Sequence, residues 1–226
     1  LGEGPLKVAK VITFHKSSYL VDVKYELENT SDQAISTSSY FQLIRDSESP
    51  EGTSSFLPTY TGAAVYTEQE KFQKVDYSSM EDSSADYPKQ ADDGWIGMLQ
   101  HYFVTAWLPK ENTPREYFTR KLDGDMYAVG VVQEEQVVEP GQKAVISSRL
   151  YAGPAQNRLD DIAPGLGLTV DYGWLTIVAT PLFWLMTLLH EWVGNWGVAI
   201  ILLTFIIRLF FFPLSAASYR SMAKMR

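Results

Sequence analysis

The stretch Leu20-Val-Asp-Val-Lys-Tyr-Glu-Leu-Glu28 alternates apolar and charged side chains from its second position onward, within a chain of 226 residues. Its apolar members are Val21, Val23, Tyr25 and Leu27. A period of two places these side chains on one face of a strand and the charged ones on the other. The stretch therefore predicts a strand with one face on a core and one face in water.

Similar patterns on the C-terminal side of this strand predict further strands. The turn-forming residues Asn29-Thr-Ser-Asp32 follow directly. Tight turns are predicted at Lys121-Leu-Asp-Gly-Asp125 and at Glu139-Pro-Gly-Gln142, where proline before glycine suits a type II turn. Many short strands with turns between them favour an antiparallel β-sandwich. The predicted strands cover residues 34–44, 97–108, 116–121, 127–132 and 144–151.

Three segments of the first 172 residues do not fit a strand pattern. Residues 46–55 and 78–93 are rich in Ser, Asp, Glu and Pro, so they are predicted to be long surface loops. Residues 157–172 contain Pro164, Gly165 and Gly167 and are predicted to be a connector that leads the chain to a membrane.

The expectation of a membrane comes from Val198-Ala-Ile-Ile-Leu-Leu-Thr-Phe-Ile-Ile-Arg-Leu-Phe-Phe-Phe-Pro-Leu214. As a helix that begins at Gly197, this apolar run approaches the roughly 30 Å thickness of a bilayer core. Arg208 lies roughly 16 Å along the helix, which is near the midplane. A charge that faces lipid there costs at least about 2.5–3.5 kcal/mol, and such residues usually face a partner or a water-filled cavity. A kink is also predicted near the end of the run, at Pro213.

The polar residues of this helix share one face. Gly197, Thr204 and Ser215 lie on the same helical stripe as Arg208. These four residues are therefore the candidate lining of a hydrophilic groove inside the membrane. Two other roles stay open for Arg208, which are snorkelling to the headgroups and structural pairing with a carboxylate on another helix.

A shorter helix is predicted over residues 181–193, before the apolar run. Thr180 can cap it, Pro181 suits its first position, and Gly194-Asn195 suits its end. At about 20 Å it is too short to cross a bilayer, so it is interpreted as an interfacial helix, with a buried helix of the β-domain as the alternative. Tryptophan favours the membrane interface, and four of them crowd this region: Trp174, Trp184, Trp192 and Trp196.

Charge is distributed unevenly along the chain. The net charge is −8, but from Tyr172 onward one Glu stands against four Lys and Arg, which leaves −11 for residues 1–171. An acidic body argues against nucleic-acid binding. Residues 219–226 hold three positive charges and no acid, so the positive-inside rule places them in the cytoplasm and the β-domain outside. The chain has no cysteine, which excludes disulfides but does not assign a compartment.

Catalytic and metal-binding motifs do not emerge from the sequence. His15, His101 and His190 are far apart, and no zinc-protease, nucleophile-elbow, P-loop or dinucleotide-binding string occurs. Asp92-Asp93 and Asp123-Gly-Asp125 lack the other ligands of a calcium loop. We therefore expect no catalytic residues, no cofactor, no metal site and no enzyme activity.

Strings along most of the chain resemble the YidC membrane-protein insertase family of Gram-negative bacteria. The chain also begins without Met and ends soon after an apolar run, so we expect an internal piece of a longer protein. The similar strings near the membrane are Leu168-Thr-Val-Asp-Tyr-Gly-Trp-Leu175, Pro181-Leu-Phe-Trp184, Val193-Gly-Asn-Trp-Gly197, Pro213-Leu214 and Tyr219-Arg-Ser-Met-Ala-Lys-Met-Arg226. Those in the outer domain are Tyr60-Thr-Gly-Ala-Ala-Val-Tyr66, Gln100-His-Tyr-Phe103, Ala106-Trp-Leu-Pro109 and Tyr151-Ala-Gly-Pro154.

The resemblance implies a mainly β fold and a multi-pass protein of the bacterial inner membrane. Residues 1–195 would be periplasmic and residues 215–226 cytoplasmic. The β-domain would be the latter part of an antiparallel β-supersandwich that is similar to sugar mutarotases. The implied segments are a β-domain at 1–160, a connector at 161–180, an amphipathic interfacial helix at 181–194, the first of five core membrane helices at 197–214, and the start of a cytoplasmic loop at 215–226.

The same resemblance implies an insertase and chaperone that inserts and helps fold inner-membrane proteins. Arg208 would lie in a hydrophilic groove that receives client proteins. The implied partners are nascent inner-membrane proteins, the Sec translocon, the ribosome and membrane lipids, with no nucleic acid bound by this segment. Two alternatives remain, a membrane-tethered carbohydrate-binding or mutarotase-like domain and a structural tether.

Overall fold

The computed structural model describes residues 4–48, 60–100, 102–155, 159–170 and 176–224. Within these ranges, the side chains of residues 176, 214, 215 and 217–224 are outside the description. The chain forms two compact units, Leu1–Asp171 and Tyr172–Arg226, and each is treated by itself.

The first unit is a β-structure with thirteen strands in its described part, and every strand pair is antiparallel. This confirms the predicted fold class. The strands are β1 Leu6–Phe14, β2 Leu20–Asn29, β3 Ile35–Thr37, β4 Tyr40–Asp46, β5 Gly62–Thr67, β6 Lys71–Val75, β7 Gln90–Ala91, β8 Trp95–Gln100, β9 Phe103–Pro109, β10 Arg115–Lys121, β11 Met126–Gln133, β12 Gln136–Val138 and β13 Lys143–Pro154.

Two sheets form a sandwich. A seven-stranded sheet has the order β1-β2-β13-β9-β8-β5-β6, and a four-stranded sheet has the order β4-β11-β10-β7, while β12 and β3 form a separate pair. Val23 and Ile96 of the larger sheet belong to the same buried cluster as Phe41 and Val129 of the smaller sheet. The core therefore lies between the two inner faces, as in other packed antiparallel sheets.

The seven-stranded sheet is also covered on its second face. Leu159, Ala163 and Leu166 form a buried cluster with Trp95 and Val104. Leu159 and Leu166 lie in two short 3₁₀ helices, Leu159–Asp161 and Leu166–Thr169. Residues 159–170 are therefore part of the β-unit, and the boundary between the units falls eleven residues later than the predicted end at 160. The connector was predicted to begin too early because its prolines and glycines are typical of a linker, whereas two of its leucines, Leu159 and Leu166, are deeply buried.

Two of the predicted strands each correspond to two separate strands in the structure. The prediction for residues 34–44 was wrong because the chain leaves β3 and enters β4, in a different sheet, at Ser38-Ser39. The prediction for residues 97–108 was wrong because β8 and β9 pair with each other, from Gln100 with Phe103 to Ile96 with Trp107. Both strands are buried on most positions, so no alternation marks where one ends.

The predicted loop at residues 78–93 contains regular structure. A short helix, α1 Tyr77–Glu81, is followed by β7, which pairs with β10. The polar residues of segment 78–93 therefore belong to the exposed side of regular elements rather than to an unstructured loop. Of the other predicted loop, 46–55, residues from 49 onward lie outside the described residues.

The predicted turns and the first strand are present. β2 spans Leu20–Asn29, and Val23 and Leu27 on its apolar face are 3% and 5% exposed. Gly141 has a φ of 69°, and the Gln142 N–H donates to the Glu139 carbonyl oxygen at 3.0 Å. A positive φ at the third position together with this hydrogen bond is the type II geometry that the sequence predicts.

The described part of the second unit consists of two helices, α2 Thr176–Val193 and α3 Trp196–Lys224, and the turn between them. The predicted start of α2 at Pro181 was wrong by five residues, and Pro181 lies inside the helix, where apolar neighbours on both sides continue the helical pattern. α3 continues through Pro213 to Lys224, so the segment from 215 that is predicted to begin the cytoplasmic loop is helical as far as Lys224. Proline removes one backbone hydrogen bond, which a long helix of good helix formers tolerates.

Candidate functional site

The two helices of the second unit meet at a tight corner made by Gly194 and Asn195. Gly194 has a φ of 69°, and its N–H donates to the His190 carbonyl oxygen at 2.7 Å. This is the left-handed residue that commonly ends a helix. The Asn195 side-chain oxygen accepts a hydrogen bond from the Val198 N–H at 3.2 Å. Asn195 therefore caps the start of α3, a role that the sequence-based assignment to the end of α2 had missed.

An aromatic stack closes the same corner. The His190 ring near the end of α2 lies parallel to the Trp196 ring at the start of α3, with centroids 3.9 Å apart and planes 13° apart. The sequence contains one indication of this stack: His190 and Trp196 lie on either side of Gly194, which ends α2, and Asn195, which caps α3.

The face of α3 that contacts α2 is apolar and small. Ala199 is fully buried, and Leu203 and Ile207, at successive four-residue steps, are half-buried. Side chains four residues apart lie on one helix face. This stripe therefore packs against α2 and leaves the remaining faces of α3 uncovered.

The predicted polar stripe lies on one of those uncovered faces. Gly197, Thr204 and Arg208 are all exposed. Their spacings of seven and four residues keep them on one side of α3, about 100° around the axis from the stripe that contacts α2. The Thr204 hydroxyl donates to the Ile200 carbonyl oxygen at 2.8 Å, within the helix. Ser215 belongs to the same stripe by position, but its side chain lies outside the described residues.

Arg208 has no hydrogen-bonding or ion-pair partner among the described residues. It stands in the segment Trp196–Pro213, which is long and apolar enough to cross a membrane. The described part of the second unit therefore offers no carboxylate to it. The uncovered faces around it are mostly apolar, with Phe205 66%, Leu209 65% and Phe210 76% exposed.

The predicted interfacial tryptophans are exposed to different degrees. Trp184 and Trp192 on α2 are 65% and 81% exposed, and Trp196 on α3 is 48% exposed because the His190 ring covers one of its faces. Trp174 lies outside the described residues.

The carboxylates and histidines of the first unit have ordinary structural contacts. His15 pairs with Asp22 at 2.7 Å. The Asp93 carboxylate accepts the Glu68 N–H at 3.3 Å, and the Asp125 carboxylate accepts the Ser47 hydroxyl at 2.7 Å. These contacts join neighbouring loops. His101 lies outside the described residues.

An antiparallel sandwich followed by an apolar helix that is long enough to cross a membrane is typical of a membrane-attached protein. The family model for the YidC periplasmic domain matches residues 2–185, and the model for the 60Kd inner membrane protein matches residues 188–226. The chain belongs to the YidC family of the bacterial inner membrane.

Similar proteins point to the same family. Membrane protein insertase YidC of Nitrosospira multiformis is 55% identical over 222 residues, which are 98% of this chain and 39% of the relative. The protein of the same description from Aromatoleum aromaticum is 53% identical over 223 residues, 98% of this chain and 40% of the relative. The chain thus spans about two-fifths of the length of these relatives.

Solved structures provide only a distant likeness. A galactose mutarotase related enzyme from Lactobacillus acidophilus is 9% identical, with a TM-score of 0.45 over 65% of this chain and 61% of that chain.

Proposed function

We propose that this chain is the central part of a membrane-protein insertase, in which α3 supplies one wall of a hydrophilic groove within the bilayer. The observation that carries the proposal is Arg208, which is exposed, mid-helix and without a partner among the described residues. Relatives at 55% and 53% identity are described as insertases, which supports the same role.

The energetic argument starts from the cost of a charge in lipid. An arginine near the bilayer centre costs at least about 2.5–3.5 kcal/mol when it faces lipid. That cost falls if Arg208 faces water held between α3 and further helices of the full-length protein. Gly197 has no side chain, so another helix could approach this stripe closely. Ser215 would extend the polar surface of the stripe. The Thr204 hydroxyl already donates its hydrogen to the Ile200 carbonyl oxygen, so it can only accept hydrogen bonds from water, through its oxygen lone pairs.

A wet groove of this kind lowers the barrier for a client protein. A hydrophilic, often acidic, tail of the client enters the groove and stays near Arg208. The tail therefore does not lose all of its hydrating water. The membrane potential assists an acidic tail moving outward by about 2.3 kcal/mol per charge per 100 mV. The client's apolar segment then passes into lipid along the uncovered apolar faces of α3. The step requires no bond chemistry, so the insertase acts without a catalytic residue.

We propose that α2 lies at the periplasmic interface and holds α3 at a fixed depth in the bilayer. Trp184, Trp192 and Trp196 suit such an anchor because an indole prefers the boundary between lipid and water. The polar residues of α2 are few, and Glu191 is its only charged side chain. The proposed partners are nascent inner-membrane proteins, the Sec translocon, ribosomes and membrane lipids.

The groove role is tested by changing Arg208 in the full-length protein and measuring insertion into vesicles. Arg208→Ala should reduce insertion of clients with acidic tails by at least about tenfold, or about 1.4 kcal/mol, because it removes the attraction between the guanidinium and the acidic tail. Arg208→Lys should retain most of the activity, since it keeps the charge. Clients with uncharged tails should be affected much less by either change.

A matched control is Arg149→Ala, which removes an exposed arginine from β13. It should leave insertion unchanged. Equal activity of the Ala and Lys variants at position 208 would contradict the groove role. So would a cysteine at position 208 that aqueous maleimide fails to label in the full-length protein, because the groove must be wet.

A further inference from the structure

A cleft lies beside β4, where the smaller sheet ends before the larger sheet does. Across the core, β11 contacts β8 and β4 contacts β9. Beyond β9 the larger sheet continues with β13, β2 and β1, whereas β4 is the last strand of the smaller sheet on this side. The space between them, here called the β1–β4 cleft, has a volume of about 420 Å³, which is in the usual range for ligand sites.

The base of the β1–β4 cleft is apolar and aromatic. Its floor is the inner face of the larger sheet, with side chains from four strands: Val8, Lys10, Tyr25, Leu27, Ile146 and Trp107. Leu27 and Trp107 are only 5% and 7% exposed. The Phe41 ring of β4 lies beside the Trp107 ring, with centroids 4.9 Å apart. The cleft therefore reaches down to the core between the two sheets.

The wall of the cleft is the open edge of β4. This strand pairs with β11 on one side, and no strand pairs with its cleft side among the described residues. The backbone groups along such an edge are a template for an added strand. β4 has seven residues, so at about 3.3 Å per residue its edge is about 23 Å long. The wall therefore suits an extended peptide.

Trp107 provides an unused hydrogen-bond donor at the base. Its Nε1 is buried and has no hydrogen-bonding partner among the described residues. Buried polar groups are nearly always paired, so an indole N–H without an acceptor indicates a further partner. A peptide that lies in the cleft carries a carbonyl oxygen at every residue, and such an oxygen can accept this hydrogen bond.

Lys10 determines the charge that a ligand should carry. Among the described residues it is the only charged side chain that lines the cleft. Its ammonium lies 5.7 Å from the centroid of the Tyr25 ring, and it forms no ion pair within the described part of the chain. A cation at the margin of an apolar cleft favours a ligand with a carboxylate.

We propose that the β1–β4 cleft binds an extended peptide segment, which adds a strand to β4 and sets a carboxylate beside Lys10. Successive side chains of a strand point to opposite faces, so every second residue of the peptide faces the floor and should be apolar. The cleft lies in the β-unit, so the proposal depends neither on Arg208 nor on the insertase function.

The proposal is tested with the full-length protein in detergent and two fluorescein-labelled peptides with blocked ends. Each peptide has seven residues, the length of β4. Valine and threonine alternate in both, and the last valine is replaced by glutamate in one and by glutamine in the other. Fluorescence anisotropy measures the dissociation constants. The glutamate peptide should bind about threefold more tightly, as expected for an exposed ion pair.

Three variants separate the contacts. Lys10→Met should remove the preference for the glutamate peptide. Lys7→Met is the matched control, because Lys7 is an exposed lysine of the same strand whose side chain points to the opposite face, and it should keep the preference. Trp107→Phe keeps an aromatic ring but removes the N–H, so it should weaken both peptides by about threefold to tenfold.

Hydrogen exchange measured by mass spectrometry locates the bound peptide. Amides of β4 should gain at least about tenfold protection when the glutamate peptide binds, because those on the open edge acquire acceptors. Amides of β6, which lies at the opposite edge of the larger sheet from β1, should not change.

Several outcomes would overturn the proposal. These are no binding of either peptide, binding without added protection of β4, and loss of the glutamate preference in Lys7→Met. Protection of β4 before any peptide is added would also overturn it, because the cleft would then hold another occupant. That occupant is a second copy if the protection rises with protein concentration, and otherwise a part of the full-length protein outside this chain.

Discussion

Arg115 is the only fully buried charged side chain among those that the structure describes, at 5% exposed. Its partners are main-chain carbonyl oxygens. Nε donates to Thr113 at 2.9 Å, Nη1 to Gly94 at 3.2 Å, and Nη2 to Asp92 at 2.6 Å and to Lys110. One guanidinium thus satisfies four acceptors from two loops at one end of the sandwich, which a lysine cannot do because its donors do not form a planar fork.

We predict that Arg115→Met lowers the free energy of unfolding by about 3–5 kcal/mol, because it leaves several buried carbonyls without donors. Urea unfolding of the chain in detergent, followed by circular dichroism of the β-structure, measures this change. Arg149→Met, at an exposed position on β13, should cost less than about 0.5 kcal/mol. Equal losses in the two variants would show that the four carbonyl contacts contribute little.

The contacts of Glu81 make the stability of the sandwich depend on pH in the acidic range. The Lys121 ammonium and the Tyr127 hydroxyl each donate to its carboxylate at 2.5 Å, and they lower the pKa of Glu81, with the Lys121 hydrogen bond as the larger cause. A carboxyl whose pKa is lower in the folded state stabilises the fold above its unfolded pKa. That stabilisation is lost as pH falls through the folded pKa.

Unfolding measured from pH 6 to pH 3 should therefore show a smaller loss of stability in Glu81→Gln than in the unmodified chain. The difference should appear below about pH 4.3, the ordinary value for glutamate. Glu70→Gln changes an exposed glutamate on the turn between β5 and β6 and serves as the control. The same acid dependence in Glu81→Gln and the unmodified chain would argue against the Lys121 and Tyr127 contacts.

At the scale of elements, periodicity predicts the strands that have one wet face. β2 could be predicted because its residues alternate between the core and water, as the half-exposed pattern from Leu20 to Asn29 shows. β8 and β9 are buried at most positions, so neither sequence alternates regularly between apolar and polar residues, and the two were merged into one strand. β5 was missed for the same reason, since all of its residues from Gly62 to Thr67 are buried.

The close contact between β8 and β9 leads to a prediction at Gly97. A Cβ atom there would lie 2.5 Å from the Thr105 carbonyl oxygen and 2.8 Å from the Ala106 Cβ. Because these are atoms of a paired strand, Gly97→Ala should reduce the free energy of unfolding by about 1–3 kcal/mol. Thermal unfolding measures it, with Gly4→Ala as a control that meets no atom within 4 Å. An unchanged melting temperature in Gly97→Ala would mean that β9 can shift freely.

For the whole molecule, the helix lengths agree with one crossing of the bilayer. α3 has 29 residues and is about 43 Å long, which exceeds the roughly 30 Å core. Its last turns must therefore extend beyond the hydrocarbon. We predict that they lie in the cytoplasm and that the sandwich lies outside, since the positive charges follow the apolar segment.

A cysteine at Glu111, an exposed position in the sandwich, should react with a membrane-impermeant maleimide in intact spheroplasts. A cysteine at Lys224 should react only after the membrane is permeabilised. Both variants are single-cysteine proteins within this chain because it has none of its own. The reverse labelling pattern would contradict the proposed topology.

The candidate site was predicted from the sequence only in part. Arg208 could be found because a charge inside an apolar run is rare, and helical spacing alone places Gly197 and Thr204 beside it. The stack of His190 on Trp196 and the cap by Asn195 depend on the turn between two helices, which no periodicity describes. The burial of Arg115 could not be predicted either, because the local sequence around an arginine in a strand does not tell whether its partners are carbonyl groups or water.

The segment at residues 159–170 lies along the chain between the last strand and α2, with Leu159 and Leu166 only 3% and 0% exposed. A force that reaches the β-unit along the backbone from the bilayer side must act on this segment before it loads β13. Detaching it would expose each leucine at about 1.5–3 kcal/mol. We therefore expect the segment to detach under traction before the strand pairing of β13 is broken.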